Sequence, residues 1–201
     1  IPDSPPNACL TTVRVAKLTE RFEGAARPGH FEGVATVCAK LFQIVQPDRA
    51  YFGQKDYQQL LVVQRMVADL NMPITIVPVP TVRDADGLAL SSRNVYLSME
   101  ERARALALPR ALSEAVRRYE AGETSADALR EAMRSVLKAE PQVTVDYAEI
   151  VHPVTLEPLD IVTDGAVALA AVRVGGTRLI DNMLLGTTLG QLFRRPNHGM
   201  Q

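Results

Sequence analysis

Two short segments carry residue types suited to handling phosphate. The first is Phe52-Gly53-Gln54-Lys55-Asp56-Tyr57-Gln58-Gln59, where a short apolar run gives way to a helical pattern. Gly53 lets the backbone approach a ligand closely, and free amides at a helix start attract anions. Lys55 could sit against phosphate as a point charge. Asp56 could cap the helix, accept a ribose hydroxyl or hold magnesium through water, and Gln59, one turn on, would project its amide toward the same crevice. A solvated helix start with an Asp cap and a surface Lys explains the same residues, and spacing alone leaves both readings open. The segment is not a Walker motif and has too few glycines for a dinucleotide fingerprint.

The second segment is Val82-Arg83-Asp84-Ala85-Asp86-Gly87-Leu88-Ala89-Leu90-Ser91-Ser92-Arg93-Asn94. Ser91 and Ser92 can donate to phosphate oxygens and Arg93 can bind them bidentately. Charge developing on a transferring phosphoryl group needs such a donor cluster. The competing reading is a turn-rich loop in which Arg93 pairs with Asp84 or Asp86.

The elements that must position these segments follow from periodicity. Residues 31–46 place Val34, Val37, Cys38, Leu41, Phe42 and Val45 at steps of three and four, which predicts a helix buried on that face and stopped by Pro47-Asp48. Arg49-Ala50-Tyr51-Phe52 reads as a short strand, and residues 56–70 as a helix with Leu60, Val63, Met66, Val67 and Leu70 inward and Asn71 as a left-handed stop. Residues 74–79 form a near-continuous apolar strand, as expected of one covered on both faces. Helix, strand, helix, strand is the pattern of a parallel α/β sheet, whose ligands gather beyond the carboxyl ends of the strands. Upstream, Leu10-Thr11-Thr12-Val13-Arg14-Val15 suggests a strand by its β-branched residues, and residues 23–30 a loop.

After Asn94 the pattern changes. Ser98-Met99-Glu100-Glu101 is a capping box opening a helix to about Ala121, with a kink at Pro109 and a stop at Gly122. A further helix over residues 125–139 has Leu129, Met133, Val136 and Leu137 inward; three extended segments follow, the last two joined at Gly175-Gly176 as a hairpin. Two domains are expected, an α/β one over residues 1–80 and an α+β one with an antiparallel sheet over residues 81–201, of which 186–201 form a mobile tail.

Composition narrows the class. The 201 residues carry 22 Lys plus Arg against 23 Asp plus Glu, a net charge of −1, so no global positive field favours nucleic acid. A hydrophobic content of 47% supports a core. Cys9 and Cys38 are too few for a disulfide framework, and Cys38 is expected to be a buried, inert thiol. No apolar stretch suits a membrane span and no secretory signal is visible, which makes the cytoplasm the default. No His/Cys/carboxylate cluster has metal-ligand spacing.

His30-Phe31-Glu32-Gly33-Val34, the Gly53–Gln59 segment and Asp86-Gly87-Leu88-Ala89-Leu90-Ser91-Ser92-Arg93-Asn94, in this order, resemble the pantothenate synthetase (pantoate–β-alanine ligase) family, as do Leu41-Phe42-Gln43-Ile44-Val45-Gln46-Pro47-Asp48 and Leu179-Ile180-Asp181-Asn182. The resemblance covers nearly the whole chain apart from its last dozen or so residues. It implies a partial Rossmann-like nucleotidyltransferase domain followed by a smaller C-terminal lid domain. It also implies a reaction: pantoate and ATP with Mg²⁺ give a pantoyl-adenylate and pyrophosphate, and β-alanine then displaces AMP. By position, Gly53, Gln54, Lys55 and Asp56 would bind ATP, Val82 would contact adenine through its backbone, and Leu90, Ser91, Ser92 and Arg93 would hold the phosphates. Lys55, Ser91, Ser92 and Arg93 would carry the catalysis, and Gln59 would bind pantoate. Gln54 stands where Glu is frequent in the family, and Leu90 where Met is also common. A homodimer is implied as well, with no nucleic-acid or membrane partner.

One family signature has no counterpart. None of His30, His152 and His198 forms the His-Xaa-Gly-His pair that binds ATP in the family; His152 and His198 are expected to be exposed. That motif precedes all of these segments in the family, and the chain opens Ile1-Pro2 without an initiator Met. Roughly the first third of a family member is therefore expected to lie outside these residues, which alone would be nearly inactive. The alternatives are a non-catalytic nucleotide-binding fragment and a related nucleotidyltransferase acting on another acid.

Overall fold

The computed structural model describes residues 10–187, so Cys9, His198 and nearly all of the expected tail 186–201, with the expectations attached to them, lie outside the described residues. The chain forms two compact units, one of residues up to 52 with 58–77, the other of 53–57 with residues from 78 onward.

The first unit contains α1 (Glu23–Ala26), α2 (His30–Val45) and most of β1 (Arg49–Gly53), α3 (Tyr57–Asp69) and β2 (Thr75–Val79). β1 and β2 neighbour each other in a parallel sheet, and α3 supplies the crossover that parallel strands need. Phe31, Ala35 and Ala39 of α2 meet Val62, Val63, Met66 and Val67 of α3 and Ile74 in one core. α2 thus buries a stripe displaced from the expected one. Val34, Cys38 and Phe42 are partly buried, while Val37 and Val45 are 51% and 65% exposed and Leu41 is also exposed. The helix carries two apolar stripes, and the alanine-rich one faces this core. Leu70 is likewise exposed, past the end of α3. β2 is at best half-buried, not covered on both faces.

Residues 10–16 form no strand, because no neighbouring strand pairs with them among the described residues; β-branched side chains favour a pleated, paired surface and do not create one. Val13 N–H donates instead to Thr36 Oγ1 at 2.9 Å, and Val15 joins the core. The expected loop at 23–30 contains α1 and the start of α2. Buried Gln58 ties this region to α3: its Nε2 donates to Leu18 O and Arg21 O at 2.7 and 2.9 Å, and its Oε1 accepts from Glu23 N–H at 3.0 Å. Asn71 takes φ 49° at the end of α3, the left-handed stop expected there.

In the second unit, α4 (Met99–Ala105) opens on the Ser98/Glu101 capping box. The expected single helix breaks at Leu106 and resumes as α5 (Ala107–Glu120). Pro109 sits in the first turn of α5, where its missing N–H would have had no intrahelical acceptor. α6 (Ala126–Lys138) follows, then β3 (Val143–Val151), β4 (Val167–Val174) and β5 (Thr177–Leu184) in an antiparallel sheet of order β3-β4-β5. β4 is central and buried at every position except Arg173. Gly175 supplies the positive φ, 56°, at the β4–β5 turn. A register shift between Val145 and Tyr147 turns Asp146 out of the ladder, where it pairs with Arg173 and Arg178. Leu108, Leu112, Leu129, Met133 and Leu137 of α5 and α6 pack with β3 and β4 into the larger core, which Leu88 also joins.

Candidate functional site

All the expected ATP-binding residues belong to the second unit, and Gln59, expected to bind pantoate, to the first. β1 ends at Gly53 with φ −68° and ψ 135°, and a Cβ would meet nothing within 4 Å, so neither backbone conformation nor crowding by the protein itself requires glycine there. Gln54–Asp56 form a 3₁₀ turn leading into α3. The Lys55 side chain is 20% exposed, and its ammonium lies 3.9 Å from the half-exposed Asp56 carboxylate, a loose pair that leaves the cation available. Tyr57 anchors the turn from below. Its hydroxyl donates to Pro153 O at 2.8 Å, and burial raises its pKa, keeping it a neutral donor.

Residues 82–90 fold back on themselves. Leu90 N–H donates to Val82 O and Asp84 N–H to Leu88 O, at 2.9 and 2.8 Å, with Gly87 at φ 93° in the bend. Val82 and Leu90 are thereby brought side by side, both exposed. The 3₁₀ turn Ser92–Tyr96 follows, capped by Ser91, whose Oγ accepts from Arg93 N–H at 3.2 Å. As an acceptor there, the Ser91 hydroxyl still has its own proton to donate.

Arg93 does not pair with Asp84 or Asp86. Arg102 of α4 takes both, donating to Asp84 Oδ2 at 2.6 Å and to Asp86 Oδ2 at 2.9 Å. A helix cation one turn into α4 reaches the bend more directly than Arg93, which lies beyond the cap. Arg93 Nη1 donates to Arg178 O of β5 at 3.1 Å, and no ion pair of Arg93 is found among the described residues. The guanidinium is thus steered by a backbone carbonyl that leaves its charge uncompensated. Asn94 Nδ2 donates to Ala89 O at 3.0 Å, whereas Asn94 Oδ1 and Thr81 Oγ1 are buried with no partner found among the described residues. Polar atoms left dry in this way cost roughly 1–3 kcal/mol each.

Three residues without an expected role complete the arrangement. Arg83 is gripped by Asp181 of β5, and Asn182 beside it contacts the 3₁₀ turn at Gln54 and Lys55. The available signal was a charged and an amide residue inside the apolar run Leu179–Leu184, where burial is costly without partners. Gln59 is half-buried on α3 and belongs to the first unit. His30 opens α2 and meets Arg27 at 3.1 Å. His152 is half-buried rather than exposed, because its Nδ1 accepts from the Val154 and Thr155 amides at 3.1 and 3.2 Å and closes a turn. Cys38 is half-buried rather than buried as expected, and that burial raises its thiol pKa. Among the described residues no group of three or more His, Cys, Asp or Glu could hold a metal, and no helix is long and apolar enough to cross a membrane.

The Arg102 clamp makes the bend pH-sensitive. Hydrogen bonding from the Arg102 side chain, and then from the Leu88 amide, holds the Asp86 carboxyl below its ordinary value of 3.8. A carboxyl depressed on folding lends stability that is full above that ordinary value and disappears as pH falls through the folded one. The difference in unfolding midpoint between wild type and Asp86→Asn is therefore expected at pH 6 and should shrink below about pH 4. A gap that persists unchanged to pH 2 would contradict the clamp.

The sequence profile of the family described as Pantoate-beta-alanine ligase matches residues 2–184. The curated Pantothenate synthetase of Rhizobium rhizogenes (strain K84 / ATCC BAA-868) is 54% identical over 187 residues, which are 92% of this chain and 64% of that protein. That of Chloroflexus aurantiacus (strain ATCC 29366 / DSM 635 / J-10-fl) is 62% identical over 167 residues, 83% of this chain and 59% of that protein. The crystal structure of pantothenate synthetase from Thermus thermophilus matches with a TM-score of 0.87 and 52% identity, over 90% of this chain and 66% of that one. Pantoate-beta-alanine ligase from Francisella tularensis, complexed with beta-gamma ATP and beta-alanine, matches with a TM-score of 0.65 and 28% identity, over 89% of this chain and 60% of that one. The chain spans about three-fifths of the length of these curated relatives.

Proposed function

The chain belongs to the pantoate–β-alanine ligase family and has its nucleotidyltransferase fold, and from that premise we propose that it is the ATP-handling part of a ligase condensing pantoate with β-alanine. In the first step a pantoate carboxylate oxygen attacks the α-phosphorus of Mg·ATP, and pyrophosphate leaves. In the second, the β-alanine amine attacks the acyl carbon of the pantoyl-adenylate, AMP departs with the carboxylate oxygen, and pantothenate forms. Adenylation is needed because a carboxylate oxygen is a poor leaving group and AMP a good one.

The observation that carries this reading is the arrangement of cations. Lys55 and Arg93 stand on two segments of one unit; Lys55 pairs only loosely with Asp56, at 3.9 Å, and no ion pair of Arg93 is found among the described residues. Gly53, Gln54, Lys55 and Asp56 would receive the nucleotide at the 3₁₀ turn, Val82 the adenine, and Leu90, Ser91, Ser92 and Arg93 the phosphate chain. Lys55, Ser91, Ser92 and Arg93 would stabilise charge as it builds on the phosphates, with positioning supplying much of the rest. Gln59 would bind pantoate through an uncharged amide. Mg²⁺ would come with the triphosphate as counter-charge, and the half-exposed Asp56 suits contact with it through water. The complex of the Francisella tularensis relative supports ATP and β-alanine as ligands. Family membership supports a homodimer, and biosynthetic use of ATP supports the cytoplasm.

The test is pyrophosphate release that requires both pantoate and Mg·ATP, followed by pantothenate formation on adding β-alanine. It is run on the 201-residue polypeptide and on that polypeptide joined to the part of a relative that it does not span. The joined protein is expected to turn over, and the polypeptide alone to be far slower, since it has no His-Xaa-Gly-His pair. Turnover with other hydroxy acids but not pantoate would assign a different nucleotidyltransferase activity.

A further inference from the structure

β5 carries two buried polar side chains, Asp181 and Asn182, 3% and 2% exposed. Burying a carboxylate and an amide is unfavourable unless their hydrogen bonds are met, and apolar residues would fill the strand more simply. Each side chain spends its hydrogen bonds on a different segment of the candidate site. Asp181 Oδ2 and Oδ1 accept from Arg83 Nη1 and Nη2 at 2.6 and 3.0 Å, and Oδ1 also accepts from Asn182 N–H at 2.8 Å. Arg83 Nη1 donates further to Gly87 O at 3.1 Å, so one guanidinium binds the start of the bend to its tip. Asn182 Nδ2 donates to Gln54 O and Lys55 O at 2.9 and 3.1 Å, and its Oδ1 accepts from Gln54 Nε2 at 3.3 Å.

The third tie runs to the same strand, since Arg178 O is the acceptor that steers Arg93. The Lys55 turn and the Arg93 loop are far apart in sequence, and both are referenced to a few consecutive residues of β5, the edge strand of a sheet packed on the larger core. We propose that Asp181 and Asn182 are positioning residues: they hold the Gly53–Asp56 turn and the Arg83–Arg93 loop at one fixed separation, and so set affinity for the phosphate chain of a nucleotide without touching it. The inference rests on the nucleotide reading above and adds to it the device that aligns the two halves of the cradle. Alignment matters because donors converging on one phosphate chain act together only when their spacing is held; in catalysis a misplacement of about 1 Å can cost on the order of 100-fold in rate.

The experiment is calorimetric titration with Mg·ATP of the 201-residue chain joined to the part of a relative that it does not span, comparing wild type with Asn182→Ala and Asp181→Asn. Each substitution is expected to weaken binding by about tenfold or more. Amide exchange should accelerate at residues 53–57 in the first variant and 83–93 in the second, while α5 and α6 stay protected. A merely structural role is separated by a cycle with Lys55→Ala. If Asn182 acts through the turn that carries Lys55, removing Lys55 from the Asn182→Ala background costs no more than about twofold, whereas independent effects would multiply. Should Asp181→Asn fail to fold, Arg83→Lys keeps the charge opposite Asp181, loses the two-pronged contact and is expected to weaken binding similarly. Variants within about twofold of a binding wild type, or a multiplicative cycle, overturn the inference alone. A wild type that binds no Mg·ATP overturns the nucleotide reading and the inference with it.

Discussion

Arg93→Ala is expected to lower pantoate-dependent pyrophosphate release by roughly 10²–10³-fold in the joined protein, the loss typical of removing one preorganised donor to developing charge. The fold should survive. The Ser91 cap engages the Arg93 backbone amide, which alanine retains, and only the side-chain bond to Arg178 O is lost. That bond is worth about 1 kcal/mol, too little to unfold the unit. Arg93→Lys keeps a charge but not the fork, so it should restore only part of the rate. Were Arg93 a solvated surface residue, alanine would leave the rate within a factor of two or so. The prediction is sharp because Arg102 removes the obvious competing role: with Asp84 and Asp86 already clamped, Arg93 has no carboxylate to serve among the described residues.

Leu112→Ala should produce the largest loss of stability, about 2–5 kcal/mol, since Leu112 is fully buried in the core that joins α5 and α6 to the sheet. In a domain of this size that corresponds to a fall of roughly 5–15 °C in the unfolding midpoint, read by calorimetry. Val37→Ala on α2 is the matched control. Val37 is 51% exposed, so its truncation should change stability by no more than about 0.5 kcal/mol. Equal effects at the two positions would mean that the face of α2 read from spacing, rather than the one in the structure, is the buried one.

Those two residues show how far sequence reasoning reaches. Period and punctuation located α2, α3, α6 and the β4–β5 hairpin within a residue or two, because each has an apolar repeat bounded by a stop or turn signal such as Asn71 or Gly175. The Ser98/Glu101 box was legible in full, being a contact between residues three apart. Period could not choose between the two apolar stripes of α2, since both repeat at the same spacing and only the partner helix decides which is covered. Nor could it give residues 10–16 a strand partner, or foresee that α4 and α5 break at Leu106, before Pro109.

The candidate site divides in the same way. Sequence alone singled out side chains suited to phosphate, because Gly53–Asp56 and Ser91–Arg93 are local patterns whose donors lie within a few residues of one another. It could not determine which cation is neutralised. Arg93 and Arg102 are both within reach of Asp84 and Asp86 along the chain, and α4 directs Arg102 to them. It also gave no role to Asp181 and Asn182, whose partners lie about 100 residues or more away in the chain: Asp181 meets Arg83, 98 residues earlier, and Asn182 meets Gln54, 128 residues earlier. Composition and spacing record what a residue can do, and hydrogen bonds between distant segments exist only once strands and helices have packed. Tertiary structure therefore decided how the two segments are held, through a single strand whose buried polar pair no local pattern explains.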